Sequence, residues 1–377
     1  REEENYYFKL SQHKDWLIKL LKERPHLIVP KFRHTELENA VHKISGDLCI
    51  SRPKARLDWG IELPFDKDFV TYVWFDALTN YISFAGYDPS LSTFNSQPST
   101  FLEKWPALQI IGKDILIPAH GIYWLIMLHA IGFPDDAMPQ LLAHGWLNIG
   151  GAKMSKSLGN IVDPNLLADK YGAEAVRYYL MSDIATGKDA DFSEERLIDR
   201  YNADLSNAVG NLLNRSLNMV HRYSPNFSNR QINEDVISEE SWPEFVWRNE
   251  TRTQFISRMD CQSCSQALRE IHVFATSCDM FIDSVKPWLM ARDARKFECL
   301  SAVLYQLIES LRIIAILISP VLPKAAHGIF DQLNWKMELS GKDERFALKD
   351  AEWGGLSDGH VVGKPVPLFP RIEGRGD

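Results

Sequence analysis

The sequence predicts an α/β fold in which a small parallel sheet is followed by an α-helical bundle. Three observations carry this. Strand-like and helix-like runs alternate through roughly the first 150 residues. From Asp163 onward apolar residues recur at helical spacing. Between the two regions lies "WLNIGGAKMSKSLGN", a glycine-flanked stretch that sets Lys153 and Lys156 three residues apart among hydroxyls.

The elements follow in order. "KDWLIKLLKER" reads as a helix stopped by Pro25, and "RHTELENAVHKI" as a second. "DFVTYVWFDA" has the Val, Tyr, Trp and Phe content of a buried strand. "LTNYISFAGY" is a short helix, on which Ala77 and Tyr81 stand one turn apart. "LQIIGKD" is a second strand. "PAHGIYWLIMLHAIG" is a helix with His120 and Trp124 at i and i+4, and "PQLLAHGWL" a third strand. This rhythm predicts a parallel sheet with right-handed crossovers, whose ligands lie beyond the carboxyl ends of the strands. Those ends are Asp76, Lys113-Asp114 and His144-Gly145.

"NLLADKYGAEAVRYYLMS" predicts a helix interrupted at Gly172. A long helix starts at the N-cap Ser193, carries Glu194 and Glu195 in its first turn, and stops at Ser224-Pro225. Further helices are expected at 244–255, 262–283 and 294–318. The last sets Phe297, Leu300, Leu304, Leu307, Leu311 and Ile314 on one stripe. The Pro-rich "KPVPLFPRIEGRGD" predicts an extended tail. The divisions expected are 1–162 for the sheet and cationic loop, 163–195 for a connecting helical segment, 196–340 for the bundle and 341–377 for the tail.

Composition narrows the class. A chain of 377 residues suggests two or three domains, and 45% hydrophobic with 24% charged residues is ordinary for a soluble protein. No run of eighteen apolar residues occurs, and "IIAILIS" only continues the last helix. The opening "REEENYYFKL" shows no signal or transit pattern. A net charge of -8 means that any nucleic-acid contact must be a local patch. Five cysteines, an odd number, argue for reduced thiols. Cys261 and Cys264 have a metal-ligand spacing, but no second pair lies nearby. Cys264, Leu268, Ile271, Ala275, Cys278 and Ile282 share a helical stripe instead.

The lysine loop has a bland reading, a solvated turn, and a sharper one. Two cations opposite a polyphosphate stabilise charge that moves from the α-phosphorus toward pyrophosphate in a transition state. Glycines would let the loop move, so that this binding is expressed mainly in the transition state. On the long helix Asn207, Asn211, Asn214, Arg215, Asn218 and Arg222 gather opposite Leu205, Leu212, Leu213 and Val220. Asparagine is only a moderate helix former. The row is either a solvated face or a strip of amides able to read bases of an unstacked loop, with the indole of Trp288 offered for stacking.

Lys153-Met154-Ser155-Lys156-Ser157 is similar to the second signature of the class I aminoacyl-tRNA synthetases. "YVWFDALTNYI", "IIGKDI", "HGIYW", "AHGWLNIGGAKMSKSLGN" and "KPW" resemble the methionyl-tRNA synthetases, over about residues 4–373. The family's His-x-Gly-His signature does not occur here, so the resemblance implies the carboxyl-terminal half of a Rossmann-like catalytic sheet followed by an anticodon-binding bundle. One spacing departs: Asp114 and His120 are six apart with Ala119 before the histidine, where the family has five and an aromatic residue.

The resemblance implies methionine–tRNA ligation through methionyl-adenylate, with ATP, its Mg2+, methionine and tRNA(Met) as partners. Lys156 would be the main catalytic cation, assisted by Lys153. Ser155, His144, Gly145 and Asp114 would join them at ATP. Trp74, Ala77, Tyr81, His120 and Trp124 would hold methionine, and Asn211, Arg215 and Trp288 the anticodon. No residues for zinc are encoded in this chain, and no membrane partner is expected. The location implied is cytoplasmic, with the mitochondrial matrix as alternative. Two other readings stay open: a non-catalytic tRNA-binding fragment, or a class I synthetase for another amino acid such as cysteine, leucine, isoleucine or valine.

Overall fold

In a computed structural model the chain is described at residues 3–155, 157, 159–223, 246–335 and 346–373, with only the backbone of 246–249. It divides into two compact units: Arg1–Trp146 with Thr186–Asp189, and Leu147–Ala185 with Ala190–Asp377.

The first unit holds a three-stranded parallel sheet. Gln140–His144 lies in the middle, between Ile28–Val29 and Leu108–Gly112. Leu108 pairs with Gln140 and Gly112 with His144, so two carboxyl ends finish level with each other. The third strand is not the one expected. The run "DFVTYVWFDA" is a strand only over Asp66–Thr71, and it pairs antiparallel with Ser51–Pro53 and Glu62–Leu63 in a separate sheet. Only Val70 of that strand is buried, the pattern of a sheet with a wet face. The chain then turns into the helix Val73–Ala77. Asp76 therefore sits on a helix, not at the rim of the parallel sheet. The true third strand has two residues and carries no usable periodicity.

Helices Lys14–Glu23 and Lys31–His42 form where expected. Leu17, Leu20, Leu21, Leu37 and Val41 of these helices are buried in one core with Leu125, Ile126 and Leu128 of the helix Leu125–Ala130. Phe101, Trp105, Trp124 and Phe133 form an aromatic cluster in the same core.

In the second unit, Leu147–Ile149 and Ala152–Lys153 form a hairpin, and Ala190–Asp191 runs parallel to Leu147–Ile149. The predicted break at Gly172 separates Pro164–Tyr171 from Ala173–Asp183, where Gly172 has a φ of +88°. Ser193 caps its helix by accepting from Arg196 N (3.2 Å). Glu194–Arg200, the wide-turned Tyr201–Gly210 and Asn211–Tyr223 continue as one rod. The expected stop at Ser224-Pro225, and residues 244 and 245 of the next helix, lie outside the described residues.

Val246–Asp260, Cys264–Val285, Phe297–Ile318 and Pro323–Leu333 complete the bundle. Leu268, Ile271, Ala275, Cys278 and Ile282 are buried, and Cys264 is partly covered. The amphipathic stripe expected on Phe297–Ile318 is too modest, because from Cys299 to the end this helix is buried on every side. Phe297 at its start is the exposed member of the stripe. Ala294–Ile318 is long and apolar enough to cross a membrane by length and composition, yet it is the centre of the bundle. It buries the ion pair of Arg312 with Glu309 (2.5 Å), whose carboxylate also accepts from Gly354 N and Gly355 N. The segment 346–373 is thereby tied to the bundle, and Asn202 accepts from Ile372 N and donates to its carbonyl.

Candidate functional site

Four side chains expected in one pocket do meet in the first unit. Tyr81 and His120 are hydrogen-bonded, Oη to Nε2 at 2.8 Å. The other ring nitrogen, Nδ1, lies 3.0 Å from the Ile115 carbonyl. A carbonyl only accepts, so Nδ1 carries the proton, Nε2 accepts, and the tyrosine donates. Burial pushes the His120 pKa below its ordinary value, which favours this neutral form, and burial raises that of Tyr81. Trp74 meets His120 edge-on with centroids 6.1 Å apart, and Tyr81 tilts against Trp124 at 5.7 Å. His120 is 2% and Trp124 1% exposed, while Tyr81 is 37% exposed. Trp124 Nε1 has no hydrogen-bond partner among the described residues.

The six-residue spacing from Asp114 to His120 has a structural explanation. Leu116–Trp124 is a wide, π-type helix, kinked at Ile117, and such a turn absorbs one extra residue. His120 bonds the carbonyl five residues back as a result. The helix expected to carry both Ala77 and Tyr81 is instead two helices, Val73–Ala77 and Asn80–Ala85. Asn80 Nδ2 donates to the Ala77 carbonyl (3.1 Å), while Tyr81 N bonds Leu78. An amide side chain competing for a helix carbonyl is the physical cause of the break. Ala77 is partly covered on the first of these helices.

At the rim of the parallel sheet, Gly112 lies against Asp114 and His144. A Cβ there would meet Asp114 Oδ1 at 2.6 Å and His144 Cε1 at 3.9 Å. His144 Nδ1 donates to the Gly145 carbonyl (2.8 Å). A Cβ on Gly145 would stand 2.1 Å from the Lys188 carbonyl, backbone that cannot swing away, so only glycine fits. Sequence reasoning missed the group that locks this rim. Asp189 pairs with Lys113 (2.5 Å) and accepts from Trp146 N (2.9 Å), and Lys113 sits over the Trp146 ring at 4.1 Å. The Lys113 hydrogen bond holds the Asp189 carboxyl below its ordinary pKa. No motif marks Asp189, because it is far from Lys113 along the chain.

In the second unit, Gly150 and Gly151 are the corner of the hairpin, with φ of +58° and +76°. Their immediate role is this turn rather than loop mobility. Asp191 Oδ1 accepts from Gly151 N (2.7 Å) and pins it. Lys153 follows as the last hairpin residue, opposite Asn148. Ser155 N donates to Asn160 Oδ1 (2.9 Å), and Asn160 Nδ2 donates to the Lys153 carbonyl (3.3 Å). The Ser155 and Ser157 hydroxyls are 2.7 Å apart. Lys156 lies outside the described residues.

The asparagine row is exposed on the rod, with Leu212, Leu213 and Val220 buried opposite. Arg215 is held by two carboxylates of the neighbouring helix, Asp279 (2.9 Å) and Asp283 (2.6 Å). The Asn211 amide sits 3.5 Å from both Asp279 oxygens. Burial raises the Asp279 pKa against the pull of Arg215. Trp288 stands on the short helix Pro287–Met290 and is 37% exposed. Asn214 and Asn218 are hydrogen-bonded to each other. Among the described residues no three His, Cys, Asp or Glu side chains group as metal ligands.

A small parallel sheet, a hairpin that leads into a lysine loop and a helical bundle together have the fold of the class I tRNA synthetases. The family model for tRNA synthetases class I (M) matches residues 1–217, and the chain belongs to that family. It is 41% identical over 374 residues to methionine–tRNA ligase of Clostridium tetani, covering 98% of this chain and 55% of that protein. The Nostoc sp. methionine–tRNA ligase is 38% identical, with 99% and 69% covered. Among solved structures, Mycobacterium tuberculosis methionyl-tRNA synthetase in complex with methionyl-adenylate matches with a TM-score of 0.83 at 32% identity, over 98% of this chain and 69% of that one. The chain spans about half the length of several curated relatives it matches.

Proposed function

We propose that this chain serves methionine–tRNA ligation in translation. The observation that carries the reading is the Tyr81–His120 hydrogen bond within an aromatic cluster, a pocket suited to a thioether side chain. Methionine's carboxylate attacks the α-phosphorus of ATP, which arrives as its magnesium complex. A carboxyl O–P bond forms, the bond to the β-phosphate oxygen breaks, and pyrophosphate leaves. A terminal ribose hydroxyl of tRNA(Met) then takes the methionyl group and releases AMP. Positioning and charge stabilisation suffice, with no covalent enzyme intermediate.

Lys156 is the main catalytic cation and Lys153 its partner. Ser155, Asp114, His144 and Gly145 serve the nucleotide. Trp74, Ala77, Tyr81, His120 and Trp124 serve methionine, and Asn211, Arg215 and Trp288 the anticodon. The functional segments are 1–162, 163–195, 196–340 and 341–377. Because the relatives named above are bacterial, we place the activity in cytoplasm, with the mitochondrial matrix as the alternative.

The test is methionine-dependent ATP–pyrophosphate exchange, run on this chain alone and with the amino-terminal segment of a relative supplied in trans. Exchange in either case supports ligation. Exchange in neither, with tRNA binding retained, supports the second reading, a tRNA-binding fragment. That reading is favoured by the share of the relatives' length that this chain spans. Exchange driven by leucine, isoleucine, valine or cysteine in place of methionine would overturn the amino-acid assignment.

A further inference from the structure

The side chain of Asn160 makes a backbone-like pair of hydrogen bonds on the lysine loop. Its Oδ1 accepts from Ser155 N and its Nδ2 donates to the Lys153 carbonyl. In an extended chain the C=O of one residue and the N–H two residues on point to the same side. The amide therefore adds one rung to the strand Ala152–Lys153, in the place where a neighbouring strand would bond. Gly159, directly before it, has a φ of +66°, the left-handed conformation that glycine adopts without strain. At the other end of the strand the hairpin corner is pinned by Asp191. The stretch from Gly151 to Ser155 is thus fastened at both ends by side chains that themselves carry no catalytic charge.

We infer that Asn160 is a positioning residue for the lysine loop: it holds residues 153–155 extended, so that Lys153 is presented in a set direction before substrate arrives. This rests on the ligation reading above. Charge stabilisation is effective only when the cation is already placed, because reorganising it during the reaction would consume the gain. Without the amide, residues 154 and 155 regain backbone freedom beyond the end of the hairpin, and the direction set at Lys153 is loosened.

The test uses Asn160→Ala and Asn160→Asp in the full protein, with two readouts. In the ligand-free protein, trypsin cuts after Lys153 severalfold faster in Asn160→Ala than in the parent. In methionine-dependent exchange, kcat falls about ten- to a hundred-fold while KM for methionine stays put. Asn160→Asp, which keeps the acceptor for Ser155 N, recovers part of both. Unchanged cleavage in Asn160→Ala overturns the latch whatever exchange does. Faster cleavage with unchanged exchange shows that the latch positions nothing for the reaction. If the parent shows no exchange either alone or with the amino-terminal segment supplied in trans, the ligation reading fails, and cleavage alone still decides whether the latch exists.

Discussion

Tyr81 and His120, thirty-nine residues apart, are joined by a 2.8 Å hydrogen bond whose direction is set by the Ile115 carbonyl on the far side of the ring. A short helix and a wide-turned helix are thereby fastened to each other. Tyr81→Phe removes the donor and leaves the buried imidazole nitrogen unsatisfied. The expected loss is about 1 kcal/mol, or roughly five-fold in KM for methionine. Exchange titrated with methionine checks it. An unchanged KM would mean that the hydroxyl does not shape the pocket.

The same pair sets a pH dependence. Burial depresses the His120 pKa in the folded state. The neutral ring is therefore favoured by folding, and its contribution is complete above the unfolded pKa of about 6.5. As pH falls below that value, the unfolded chain takes the proton first, and stability declines down to the lower folded pKa. Unfolding followed from pH 8 to pH 5, in parent and His120→Asn, should show a steeper acid-side decline in the parent. Identical profiles would remove His120 as the source.

Lys156→Ala should slow adenylate formation by roughly two to three powers of ten, the size of a lost transition-state contact. Methionine affinity should hardly change. Pre-steady-state adenylate formation separates the two. If affinity falls as far as the rate, the lysine acts in ground-state binding instead.

Trp288→Ala should leave exchange intact and raise KM for tRNA(Met) roughly ten-fold, as loss of one stacked base does. The indole is 37% exposed on the short helix Pro287–Met290. Aminoacylation measured beside exchange checks it. An equal loss in both assays would place Trp288 in the structure rather than at the RNA.

How much was legible depended on how local the signal was. The break at Gly172, the Ser193 cap and the polar face of Asn211, Asn214 and Asn218 were all read from residues within a few turns of one another. The motifs singled out Trp74, Tyr81, His120 and Trp124, which the structure brings together, but the helices that carry them differ from those expected. Asn80 took a helix carbonyl and split the helix of Ala77 and Tyr81, and a wide turn absorbed the extra residue before His120.

The sequence by itself determined the class of fold, the lysine loop and the row of amides, because periodicity, capping and glycine corners act between near neighbours. Tertiary structure alone decided that Ile28–Val29 is the third parallel strand and that Asp66–Thr71 belongs to another sheet. It alone placed Asp189 on Lys113 and gave Arg215 its two carboxylates. These are pairings between distant residues. Two-residue strands and lone aspartates carry no pattern of their own, and acquire a role only from what the fold brings beside them.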